Sequence, residues 1–212
     1  DGAVITKNGN KYSCGSPIMY PTFAILNPEI TFTVPKFLTS CGVVDAISHV
    51  LERYFSNTSY VDTSNHICEG LIKTLMKYGK LVLKKPHNFD IRAEIMWASK
   101  LAHDNTAGFG RKQDWATHTI AHEIAARYNQ PHGAILAVLF PAWMSHVNKQ
   151  NSKVFLRFSS NIFDININSM SDSVAIKSGI DAYKLFLKEM GMPTSLRMLG
   201  ITTPSEFISI AE

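Results

Sequence analysis

The stretch ATHTIAHEIAARYNQPHG places His118, His122 and His132 within fifteen positions of a chain that has eight histidines in all. Imidazole is a common metal ligand and carries protons near neutral pH, so such a concentration marks a place to look for chemistry. His118 and His122 are four apart, which puts both on one face of a helix. His132 follows Pro131, a residue suited to the first turn of a new helix, and a tight connection there can swing His132 back toward the same space. A second pair has the same spacing: Asp45 and His49 in VVDAISHVLE, on a helix whose neighbouring positions are apolar. A carboxylate turned toward an apolar interior is costly unless it finds a partner.

Asp45, His49 and two of the three later histidines would supply one oxygen and three nitrogens. That is a donor set for Zn²⁺ or Fe²⁺ used as a Lewis acid, with one position left open for a ligand. Spacing alone leaves open which two histidines join. The plain alternative is that a single i,i+4 pair lies on the surface or in a satisfied core; two such pairs and a histidine after a Pro weigh against it. HE at 122–123 is not the zinc-protease signature, because Ala126 stands where that motif needs His. His66 and His87 lie in polar, loop-like settings and read as solvent-facing, and His146, without an acidic neighbour, reads as structural. A rival metal reading rests on the adjacent His103 and Asp104, which resemble the pair of the HD-type metal-dependent phosphohydrolases; no basic cluster accompanies them to receive phosphate.

The elements that must position these residues are helical. From about residue 37, apolar Val43, Val44, Ile47, Val50, Leu51 and Phe55 recur at helical spacing, with Thr39 or Ser40 as the expected N-cap. Further helices are expected over roughly 64–84, 88–104, 114–127, 132–148, 150–159 and 172–190, so residues 37–212 should form an all-α bundle. Residues 1–36, with Pro at 17, 21, 28 and 35, read as short strands and turns too small to fold alone.

Composition narrows the function classes. A chain of 212 residues that is 45% hydrophobic can bury a core. Its longest apolar run, GAILAVLFPAWM, is too short to span a bilayer, and residues 1–12 have no signal-peptide pattern. The net charge of +4 is scattered rather than striped, so neither nucleic acid nor a membrane is an expected partner. Cys14, Cys41 and Cys68 are odd in number and widely spaced, as expected of reduced thiols in a cytoplasmic protein.

GVVDAISHVLERYF, QDWATHTIAHE and YNQPHGAILAVLFPAW, in this order, closely resemble the iron-containing (group III) alcohol dehydrogenases, in particular their butanol dehydrogenase branch. DGAVIT and GSPIMYPTFAILNPEITFTVP resemble the segment joining that family's two domains, and the likeness runs from residue 1 to about 200. The resemblance implies that Asp45, His49, His118 and His132 ligate Fe²⁺ or Zn²⁺. It gives His122 another role, a non-ligand imidazole beside the nicotinamide that relays protons, and it places Lys11 near the cofactor. It also implies reduction of aldehydes or oxidation of primary alcohols with NAD(H) or NADP(H).

The family's nucleotide-binding domain is not in this sequence, which has no G-x-G-x-x-G or Walker A motif. The chain therefore reads as a fragment that stops before the family's last helices: residues 1–36 left from the nucleotide domain, and 37–212 the helical metal domain. Such a fragment should bind metal without turning over substrate. Its N-terminal strands, lacking their sheet, would be open to pairing with a second chain in a homodimer. GFG at 108–110 reads either as a cleft-lining loop or as a plain turn. Two contrasts remain: the phosphohydrolase, in which binding would depend on His103 and Asp104 rather than being indifferent to His103→Ala, and a non-enzymatic helical interaction module in which Asp45 and the histidines form a closed hydrogen-bond network.

Overall fold

The computed structural model describes residues 2–7 and 10–202, with the side chains of a few N-terminal positions, Lys11 among them, left out. The chain opens with an antiparallel hairpin, β1 (Gly2–Lys7) on β2 (Asn10–Gly15), in a register running from Gly2 opposite Gly15 to Lys7 opposite Asn10. The hairpin strands bond each other. Beyond it, strands were expected in the FAIL region, but residues 16–34 contain only single 3-10 turns at Pro17–Met19 and Pro28–Thr31. The prolines account for this, since each removes a donor that a ladder would need. Ile18, Tyr20, Phe23, Ile25 and Ile30 consequently stand exposed.

Seven α-helices follow among the described residues: α1 (Lys36–Tyr54), α2 (Asp62–Lys84), α3 (Phe89–His103), α4 (Ala116–Tyr128), α5 (His132–Val147), α6 (Ser152–Phe163) and α7 (Asp172–Glu189). All six expected helices after the first are present, with ends shifted by four residues or fewer. The start of α1 is a correction. It begins at Lys36 behind Pro35, so Thr39 and Ser40 lie inside the helix rather than capping it. Thr39 turns its hydroxyl back to the Val34 carbonyl at 3.3 Å. A proline just ahead of the first turn sets the backbone for a helix without needing a side-chain cap.

α1 is the axis of the bundle, packed by α2, α3 and α5, while α6 and α7 pair across the far side. From Val43 to Phe55 every residue is buried except Asp45 and His49, which keep part of their surface open. An all-round apolar helix belongs in a core, and its only polar interruptions with surface access mark where the core opens. α5, the GAILAVLFPAWM helix, is similarly sunk through Ala134, Ile135, Leu136, Ala137, Phe140 and Met144. No helix among the described residues is long and apolar enough to cross a membrane.

Candidate metal centre

Three helices bring the site together. α1 contributes Asp45 and His49, one turn apart. α4 contributes His118 and His122. Asn129 ends α4 in the left-handed region (φ 51°), and three residues later α5 starts at His132, the expected tight return. Gly133 makes that return close: a Cβ there would stand 2.1 Å from the Cys41 carbonyl oxygen of α1. Only glycine lets the start of α5 press onto α1 and deliver His132 beside Asp45.

Around Asp45 the imidazoles divide. Its Oδ1 lies 3.9 Å from His118 Nε2 and 3.7 Å from His132 Nε2, while Oδ2 lies 3.8 Å from His103 Nε2. The His49 ring is 4.5 Å from that of His118 and 3.9 Å from that of His103, centre to centre. Asp45 is therefore common to two donor groups, one with His118 and His132 and one with His49 and His103. Asp45 Oδ1, His49 Nδ1 and His118 Nε2 are buried and accept or donate no hydrogen bond. Buried polar atoms are nearly always satisfied, so three orphans on neighbouring side chains do not form a closed protein network. Donors each about 2.1 Å from an ion stand roughly 3–3.5 Å apart. The observed spacings need only a slight contraction to meet this, and the residues fit a divalent cation.

The surroundings fix these rings. Glu52, fully buried one turn below His49, accepts both the backbone N–H of His118 at 2.9 Å and its Nδ1–H at 2.8 Å. With Glu52 ionised, the proton is kept on Nδ1 and the Nε2 lone pair faces Asp45, the carboxylate–histidine arrangement typical behind metal ligands. Buried Arg53 grips the carbonyls of His49 at 2.8 Å and Ala102 at 2.6 Å, tying α1 to the end of α3. Its guanidinium lies 4.8 Å over Trp115, whose ring stands nearly perpendicular to those of His49 and His118.

Burial pushes Glu52 up to about 8 and pulls His49 down to about 2 and His118 down to about 4. Burial also works to raise Asp45, but the His103 contact and then the charges of the other imidazoles hold its carboxyl below the usual range. An ionised carboxylate with neutral His49 and His118 is the protonation pattern that metal ligation requires. The Asp45 carboxylate conversely raises His103.

Asp45, His49, His118 and His132 are thus brought together, and His122 joins them from the side, half-buried with its ring 4.7 Å from that of His132. The side chain of Lys11 lies outside the described residues. His103, considered in the sequence only as half of the HD pair, also lies against Asp45. It ends α3 directly opposite Asp45, a placement its local sequence does not signal. Its neighbour Asp104 instead bonds Lys100 and Thr106, so the two halves of the HD pair face different surroundings. Glu52, Arg53 and Trp115 were also missed, although Glu52 lies on the same helical face as Asp45 and His49. Gly108 closes the 3-10 turn Thr106–Gly108 and is packed under the side chains of Asn105 and Gln113. His66 is exposed as expected, though it lies in the first turns of α2, where it pairs with Asp62 and Glu69.

Residues 39–212 match the model of the Fe-containing alcohol dehydrogenase family, C-terminal. The chain belongs to the iron-containing alcohol dehydrogenase family. It is 36% identical over 92% of its length to the probable NADH-dependent butanol dehydrogenase 1 of Bacillus subtilis, covering 51% of that protein. With the NADPH-dependent aldehyde reductase YqhD of Escherichia coli it shares 34% identity over 94% of its length, covering 52% of that protein. Its fold superposes on the crystal structure of NADH-dependent butanol dehydrogenase A from Thermotoga maritima with a TM-score of 0.93 and 40% identity, over 99% of this chain and 52% of the other. The chain spans about half the length of the relatives it matches, and within the family that half is the C-terminal, helical one.

Proposed function

We propose that Asp45, His49, His118 and His132 hold one divalent ion, Fe²⁺ or Zn²⁺, and that this chain is the metal-holding part of an NAD(P)-dependent alcohol dehydrogenase or aldehyde reductase. The observation that carries the reading is the convergence of a buried carboxylate oxygen and imidazole nitrogens that the protein itself leaves without hydrogen bonds. Residues 37–212 are then the catalytic helical domain, and residues 1–36 belong with a nucleotide-binding domain, where Lys11 approaches the cofactor. The substrates are a primary alcohol or its aldehyde with NAD(H) or NADP(H), consistent with the names of the relatives. Neither nucleic acid nor a bilayer has a part. The setting is cytoplasmic, in keeping with three free cysteines, and the hairpin edge is the point at which two chains would pair as a homodimer.

Bound there, a divalent ion supplies Lewis acidity that polarises a carbonyl or stabilises an alkoxide. The chain's residues do the rest. Glu52 keeps the His118 proton on Nδ1. Arg53 holds the ends of α1 and α3 in fixed relation, and Trp115 shields the rings of His49 and His118 from water. His122, partly open to solvent beside His132, moves a proton between the substrate oxygen and water, a task for which an imidazole is suited near pH 7.

Calorimetric titration of Zn²⁺ under reducing conditions into chelator-stripped protein tests the reading. One tight site is expected, lost in His132→Ala. An unaltered isotherm in the variant, or no site in the native protein, would refute it.

A further inference from the structure

His103 deepens this reading of the centre and rests on it. The two oxygens of Asp45 face different partners: Oδ1 looks inward to His118 and His132, and Oδ2 looks outward to His103. Exposure grades in the same direction, the side chains of His118, His132 and His103 being 6%, 22% and 46% exposed. His103 Nδ1 lies 2.8 Å from the Ser99 carbonyl oxygen, one turn back on α3. A carbonyl can only accept, so Nδ1 carries a proton, and Nε2 is the nitrogen turned toward Asp45. Glu52 orients His118 by the same logic, which sets His103 up as a ligand rather than as a solvent-facing helix end. The His49 and His103 rings lie 3.9 Å apart at 36°, and His49 has a buried nitrogen with no hydrogen bond.

We propose that His103 is a fifth protein donor, which forms with Asp45 and His49 an outer triad at the mouth of the centre through which the divalent ion enters and leaves the inner set. Asp45 belongs to both sets, so an ion can pass from Oδ2 to Oδ1 without losing its carboxylate. His49 borders both imidazole groups and stays within reach throughout. Asp104 takes no part, being held by Lys100 and Thr106.

Stopped-flow uptake of Co²⁺, read by its visible absorption, and its loss to a chelator are compared in the native protein, His103→Leu, His132→Ala and the double variant, each checked for helicity by circular dichroism. His103→Leu is expected to keep the tight site but to take up and release Co²⁺ roughly tenfold more slowly. His132→Ala is expected to retain a weak site through the outer triad, and the double variant to lose it. Tight binding with unchanged rates in His103→Leu, or equal residual binding in His132→Ala and the double variant, would overturn the inference and leave the metal reading standing. No Co²⁺ uptake by the native protein would overturn both.

Discussion

Glu69 and Asp45 are both carboxylates in polar clusters against α1, and they are satisfied in opposite ways. Glu69 is used up by the protein. The Tyr54 hydroxyl donates to it at 2.9 Å, Arg157 Nε at 2.5 Å and Asn161 Nδ2 at 3.1 Å, and Arg157 reaches on to Asp62. Asp45 has neighbours of complementary type at 3.7–3.9 Å, just beyond hydrogen-bond reach, and its Oδ1 is left without a bond. A folded chain free to close both clusters would have closed both, because an unsatisfied buried polar atom costs on the order of 1–3 kcal/mol. The first cluster is a fastening between α1, α2 and α6; the second is the set of donors we assign to a divalent ion.

That contrast can be broken from either side. Glu69→Ala strands the Arg157 guanidinium and the Tyr54 hydroxyl and should lower stability by about 3 kcal/mol in urea unfolding while leaving Zn²⁺ affinity unchanged. Gly133→Ala attacks the other cluster through the backbone. The added methyl meets the Cys41 carbonyl, so α5 must move off α1, and calorimetry should show Zn²⁺ affinity down by at least about tenfold with roughly 1–3 kcal/mol of stability lost. Glu52→Gln keeps an acceptor for His118 but removes the acid whose negative charge would back a metal-bound ring; affinity should fall roughly tenfold with little change in melting temperature.

The smallest effect separates the clusters by pH. Burial works to raise Glu69, but hydrogen bonds from Arg157, Asn161 and Tyr54 outweigh it and hold the folded value below the ordinary 4.5. A depressed carboxylate contributes stability that is fully present above its unfolded value and is lost as pH falls through its folded one. Stability should therefore decline below about pH 4.5, and Glu69→Gln should flatten that acid limb. An identical acid limb in the variant would mean that Glu69 is not the group responsible.

What could be read from the sequence follows the reach of each signal. Helical periodicity is local and strong, so the seven helices and the i,i+4 pairs Asp45/His49 and His118/His122 were legible, as was the Pro131 turn that returns His132. Residues 16–34 misled because apolar runs suggest strands while the interleaved prolines remove the ladder donors. The start of α1 was obscured because Thr39 and Ser40 look like caps, whereas Pro35 had already begun the helix. His103 and Arg53 escaped notice for a different reason: the first becomes a neighbour of Asp45 only when α3 packs on α1, and the second binds backbone carbonyls that no side-chain pattern announces. Gly133 is equally silent in sequence, because the close approach it permits exists only after α5 has docked.

The central claim, that the Asp45 cluster is built for a divalent ion and the Glu69 cluster is not, is tested most directly by anomalous diffraction at the zinc edge from crystals of the protein grown with Zn²⁺. The expected result is a peak bounded by Asp45, His49, His118 and His132, with donor distances of about 2.0–2.2 Å and no peak near Glu69. Well-ordered side chains at Asp45 and the three histidines with no anomalous density between them would contradict it.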